Sequence, residues 1–265
     1  MTSSPSTSPP STSSPSPASP PSASPSPPPS SPPSSGGFRP DAFPEIRRAD
    51  AGAVLIGEWD AGSPEGQRAV LDGVARAWEE TPLPDGFLSQ VLFAGTDGRS
   101  VLNYAQWTSS SAHREFVRTE DTGLAERIAA VLDGVGGVGD AGPGRFRLHG
   151  SLLLPEGEAP APGCVVRVAF RTAGHEPARR LVDGLLEMFG GRQSGDGGIA
   201  SHFHISEDGT RVVNYSEWTD AQSHERMADS RLQDGGAVMR FIAGLEGVEP
   251  LGFRRYTTPR GLVRA

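Results

Sequence analysis

Two stretches of this chain carry nearly the same string at a fixed interval. Val101-Leu102-Asn103-Tyr104-Ala105-Gln106-Trp107-Thr108 is followed by His113, and Val212-Val213-Asn214-Tyr215-Ser216-Glu217-Trp218-Thr219 by His224. Asn214 lies 111 positions after Asn103. The same interval pairs Val70-Leu71-Asp72-Gly73-Val74 with Leu181-Val182-Asp183-Gly184-Leu185, and Asp97-Gly98 with Asp208-Gly209. One offset held over so much chain means a duplicated and fused unit of about 100 residues. Two copies of that length do not make a solenoid.

Each copy reads as the same order of elements. Ala53 to Trp59 is a short apolar strand, and Cys164 to Thr172 is its counterpart. Ser63-Pro64 forms a helix start, with an N-capping hydroxyl and proline at the first helical position. Val70, Val74 and Trp78 then recur at helical spacing, as do Leu181, Leu185 and Phe189, so each helix has one apolar stripe. Asp-Gly between alternating runs predicts hairpins from Phe87 to Trp107 and from Ile199 to Trp218. Helices follow over Thr108 to Arg118 and Thr122 to Leu132. A last strand closes each copy, near Arg145 to Leu154 and Gly252 to Thr257. The order β-α-β-β-α-β is the split βαβ of ferredoxin-like folds. Helices then cover one face of an antiparallel sheet, and the other face needs a partner, which the second copy supplies. The expected architecture is α+β: two ferredoxin-like domains, residues 50–154 and 164–262, joined by a linker at 155–163.

Composition limits what this unit can do. Residues 1–35 are Ser, Pro and Thr except for Met1, Ala18 and Ala23. Such a tail, taken as residues 1–37, cannot bury enough apolar surface to offset its ordering entropy. It has neither the basic start nor the apolar run of an export signal, and the chain is compatible with the cytoplasm. No stretch approaches the length of a membrane span. A net charge of −8 argues against nucleic acid as a partner. All 24 basic residues are Arg, so no lysine Schiff base can form and internal-aldimine chemistry is excluded. Cys164 is alone and opens an apolar run, which fits a buried thiol.

Gly86-Phe87-Leu88-Ser89, Thr96-Asp97-Gly98, Asn103-Tyr104-Ala105-Gln106-Trp107 and the tail Thr258-Pro259-Arg260-Gly261 together resemble the antibiotic biosynthesis monooxygenase family. The likeness is greatest to its cofactor-free quinone-forming members from aromatic polyketide pathways, the actinorhodin group. It runs from about residue 50 to the C-terminus, once per copy. The resemblance implies an intramolecular dimeric α+β barrel that uses no cofactor and no metal. It implies oxidation of a polycyclic phenol or anthrone to a quinone by O2, the partners being an aromatic polyketide and dioxygen. The motif's Asn falls on Asn103 and Asn214, its Trp on Trp107 and Trp218, its helical Arg on Arg127 and Arg240. Its strand His falls on His204, where the first copy has Phe93, so the second copy is expected to hold the fuller set. His113 and His224 occupy a helical position where the family's model enzyme has Tyr.

Residues i and i+4 of a strand share a face, so each Asn and Trp form one wall. Asn and Trp can donate hydrogen bonds to an oxyanion, Arg is a permanent cation, and His204 or His224 can accept a phenolic proton. Simpler readings stay open beside these. The Asn-Tyr-x-x-Trp string also suits a packing motif, and the arginines and helical histidines suit a solvated surface. His202 and His204 at i and i+2, with Glu207 nearby, have the spacing of a chelating pair, but the first copy has Val91 and Phe93 there. An aromatase, cyclase or isomerase, or a non-catalytic ligand-binding protein, would also suit the scaffold. The fused chain has the option of associating further into a homo-oligomer.

Overall fold

The computed structural model describes residues 1, 39–40, 42–120, 122–135, 144–154, 159–190, 197–233 and 236–264. The Ser/Pro-rich tail beyond residue 1, positions 155–158 of the linker and the glycine-rich run over 136–143 lie outside them.

The first half is built from β2 (Ala53–Asp60), α1 (Pro64–Glu79), β3 (Phe87–Gly95), β4 (Ser100–Trp107), α2 (Ser110–Thr119), α3 (Leu124–Asp133) and β5 (Gly144–Leu153). The second repeats the order with β6 (Cys164–Thr172), α4 (His175–Phe189), β7 (Gly198–Ser206), β8 (Arg211–Trp218), α5 (Ala221–Gln233), α6 (Ala237–Ala243) and β9 (Val248–Val263). A two-residue β1 (Arg39–Pro40) lies along β9. Ser63 caps α1 by accepting from the Gly66 N–H. The repeated Asp-Gly in α1 and α4 also has a packing reason. A Cβ at Gly73 would fall 2.6 Å from Val131 of α3, and one at Gly184 would fall 2.2 Å from Phe241 of α6. Glycine there lets the two helices of each half approach closely.

The strands do more than form two stacked sheets. Their order is β9-β3-β4-β2-β5-β7-β8-β6, and β6 pairs back onto β9, so eight strands close into a ring. Two strands make the closure. β5 pairs with β2 through Gly144 to Phe146 and with β7 through Phe146 to Leu153. β9 pairs with β6 through Val248 to Tyr256 and with β3 through Tyr256 to Val263. The sequence marks the last strand only from Gly252 to Thr257. It runs for 16 residues because each end serves a different half.

Closure sorts the side chains into two layers, since neighbours along a strand face opposite ways. Val54, Ile56, Val91, Phe93, Leu102, Tyr104, Phe146, Val213, Tyr215 and Tyr256 fill the inside of the ring. Across it, the Tyr104 hydroxyl and His204 Nε2 meet at 3.1 Å. Glu58 on β2 takes Arg167 of β6 at 3.1 Å and also the Tyr256 hydroxyl of β9. The outer faces carry the helices: Leu55, Trp78, Phe87, Trp107 and Leu124 in the first half, Leu181, Leu185, Phe203, Val212 and Ile242 in the second. Among the described residues, no helix is long and apolar enough to cross a membrane.

Candidate functional site

The site to examine is the space between helices and sheet, because that is where the repeated motif points. On β4, Leu102 and Tyr104 face the ring interior, so Asn103, Ala105 and Trp107 face the helices. There the first half holds a cavity of about 280 Å³, near the lower end of small-molecule sites (roughly 300–1,000 Å³). Asn103, Trp107 and Gln90 contribute from the sheet, Trp78 from α1, His113 and Phe116 from α2, Glu120 from just past its end, and Leu124 and Ile128 from α3. The wall is therefore apolar and aromatic with few polar atoms. Val117, at the rim, is 59% exposed.

Two of those polar atoms have no partner among the described residues. Asn103 Oδ1 is buried and accepts no hydrogen bond from any described residue. Trp107 packs edge-on against Phe87 and His113, and its indole N–H donates to none of the described residues. The second half differs. There the Trp218 indole N–H donates to Ser216 Oγ at 3.1 Å, and Ser216 also meets Ser201 Oγ at 3.0 Å. Ser216 corresponds to Ala105, which has no hydroxyl to offer. One side-chain oxygen thus separates a committed indole from an open one. Among the described residues Asn214 Oδ1 lacks a partner, as Asn103 Oδ1 does.

Each motif tryptophan carries a histidine on its edge, His113 at 4.9 Å and His224 at 5.0 Å between ring centres. Each histidine in turn meets an arginine from the last strand of its half. Arg145 Nη2 donates to His113 Nδ1 at 3.2 Å, and Arg255 Nε donates to His224 Nδ1 at 3.0 Å. A guanidinium can only donate, so Nδ1 accepts and the neutral ring carries its proton on Nε2. Burial, then Arg145 and Arg114, push the His113 pKa down to about 4. His113 is therefore a neutral donor near pH 7. Sequence reasoning passed over Arg145 and Arg255. Their signal was one arginine at the start or within the last strand of each copy, offset by 110 positions where the motif shows 111.

The remaining expected site residues fall elsewhere. His204 stands opposite Val213 on β8 and so faces the ring interior, away from Asn214 and Trp218. Its Nδ1 meets the His202 carbonyl oxygen at 3.1 Å and its Nε2 meets Tyr104. Burial first, then His202, lower its pKa to about 3. His202 shares that face and meets Ser151 at 2.8 Å, whereas Glu207 reaches to α2. Among the described residues, no three of His, Cys, Asp and Glu converge as a metal would require. Arg127 ties α3 to the end of α1 by donating to Thr81 Oγ1 at 2.7 Å and the Ala77 carbonyl at 3.4 Å, and it also donates to the Thr122 carbonyl, in the turn before its own helix, at 2.7 Å. Arg240 is exposed on α6. Cys164 is fully buried, and burial pushes its thiol up to about 11.

The same architecture occurs in a solved anthrone oxidase-like protein, which matches with a TM-score of 0.64 at 18% identity over 82% of this chain and 95% of that one. At that identity the match establishes the fold alone: an α+β ring of two βαββαβ halves. Proteins described as monooxygenases from Lactobacillus acidophilus (TM-score 0.48, 7% identity, 81% of this chain and 97% of that one) and Fusobacterium nucleatum (0.46, 9%, 81% and 96%) are more distant in structure. No family profile matches the sequence, and no curated protein matches it.

Proposed function

We propose that this chain is a cofactor-independent monooxygenase that converts a polycyclic phenol or anthrone of the aromatic polyketide type into a quinone with O2. The observation that supports this most is the first-half cavity, an aromatic-lined space with the Trp107 indole and an Asn103 amide oxygen that is buried without a partner among the described residues on one wall. A ring bearing a hydroxyl beside a carbonyl or phenolate oxygen supplies what both lack. Asn103 accepts from the hydroxyl, and Trp107 donates to the oxyanion.

The chemistry then asks little of the protein. The substrate's ring methylene loses a proton to water at the rim. The resulting anion is favoured by the positive potential of Arg145 and Arg114 and by donors already in place. One electron passes to O2, giving a substrate radical and superoxide. These combine at the ring carbon as a peroxide. Loss of the second C–H proton with O–O cleavage leaves a carbonyl and releases water. In balance, one methylene and one dioxygen give one ketone carbonyl and one water. Phe116, Trp78 and Ile128 keep bulk water from the radical pair.

Oxygen uptake by the purified full chain, stripped of metals with a chelator, tests this with a simple anthrone. The expected result is one O2 consumed per quinone formed, well above the spontaneous rate, with one 18O atom from 18O2 in the product. Uptake at only the spontaneous rate would end the proposal. Substrate conversion under strict anaerobiosis would point instead to an isomerase or cyclase.

A further inference from the structure

The two halves hold each other's arginines. The Glu207 N–H, in the β7–β8 turn, donates to the Arg145 carbonyl at 2.9 Å, and the Thr96 N–H, in the β3–β4 turn, donates to the Arg255 carbonyl at 2.9 Å. Thr96 and Glu207 are equivalent in the repeat, so each hairpin clamps the strand that carries the other half's His-binding arginine. The side chains then break the symmetry. The Glu207 carboxylate accepts from Ser110 Oγ, in the first turn of α2, and pairs with Arg114 at 3.3 Å. The equivalents of Glu207 and Ser110 are Thr96 and Ala221, which cannot form this bridge. Position 114 is Glu225 in the second half, and it pairs with Arg255 at 3.5 Å. In the first half that position is an arginine.

We propose that His113 is positioned across the molecule: Arg145 fixes it as the Nε2–H tautomer, and Glu207 of the second half fixes both the Arg145 backbone and the α2 turn that carries the ring. This deepens the proposed function and rests on it: His113, a neutral donor in the wall of the same cavity, is added to Trp107 as a donor to the substrate oxyanion. Arg145 and Glu207 are positioning residues. The fusion then has a purpose beyond barrel closure, because the helix and strand that hold the first half's histidine are braced by a residue the first half does not contain. The charged groups around His113 are Arg145 from β5, Arg114 on its own helix, Glu120 just past that helix's end, and Glu207 from the turn packed against it.

Long-range 1H–15N correlation of the full chain labelled at histidine reads the tautomer directly, with H113Q assigning the signal. Wild type should show His113 as a single Nε2–H form from pH 5.5 to 8. R145M should mix the two tautomers and bring proton uptake toward the ordinary histidine range, whereas R145K, which keeps a donor, should retain Nε2–H. E207A should broaden the signal in the same direction, and T96A should leave it unchanged. Anthrone turnover by R145M should fall about tenfold in kcat with little change in KM, less than the loss from deleting a donor outright. An unaltered tautomer in both R145M and E207A would overturn the inference, and should R145M not fold, E207A and R145K decide it alone. If the tautomer responds while wild type shows no oxygen uptake, the positioning stands and the monooxygenase reading fails.

Discussion

Asn103→Leu is expected to slow anthrone oxidation about 10²–10³-fold while raising the unfolding free energy by about 1 kcal/mol. The two effects share one cause. In the empty protein the Asn103 amide is buried with Oδ1 unpaired, and an unpaired buried polar group costs about 1–3 kcal/mol. Leucine has a similar shape and removes that cost. It also removes the group that receives the substrate hydroxyl, so orientation and charge stabilisation are lost together. Asn214→Leu should give a comparable gain in stability with little loss of rate, because the Trp218 donor beside it is already taken by Ser216. Oxygen-electrode kinetics and urea denaturation of both variants check this. A variant at position 103 that loses stability and keeps its rate would mean that Asn103 is a packing residue.

His204→Phe should flatten the acid dependence of stability. From pH 7 to pH 4, wild type should lose about 3 kcal/mol more than the variant. His204 is fully buried with both ring nitrogens engaged, and burial holds its pKa at about 3. An unfolded histidine titrates near 6.5. The folded value is the lower one, so the unfolded chain binds more protons between about pH 6.5 and 3. The neutral ring's contribution is complete above that window and declines as pH falls through it, by about 1.4 kcal/mol per pH unit. His113 adds a similar slope, but it is present in both proteins and cancels. Phenylalanine is the natural control because Phe93 occupies the equivalent interior position. Loss of the Tyr104 partner lowers stability at every pH, so the test is the difference in slope from denaturation at pH 7 and pH 4. Parallel profiles would contradict it.

Much of the fold was legible because local signals repeat. Asp-Gly at a fixed interval places both hairpins, and β3 runs from Phe87 to Gly95 as the alternation indicates. Ring closure was harder to read. β5 and β9 each switch partners midway, and pairing across 100 residues leaves no local pattern. The face taken by His204 was within reach. A hairpin centred on Asp208-Gly209 sets residue 204 opposite 213, and so on the other face from Asn214. His204 entered the expected site set through the family likeness, not through that register. Ala105 and Ser216 looked like a neutral difference within the motif. Only the indole geometry shows that Ser216 occupies a donor which Ala105 leaves open.

The central claim is that the first half holds the working cavity and that Trp107 is its open donor. The chain has four tryptophans, hence four indole N–H signals in a 15N correlation spectrum, assignable with W107F and W218F. Titrating the full chain with a dihydroxyanthraquinone, a quinone of the proposed product class, should move the Trp107 signal saturably downfield and leave that of Trp218 in place. Movement of the Trp218 signal with Trp107 unmoved, or no response from either, would contradict the account.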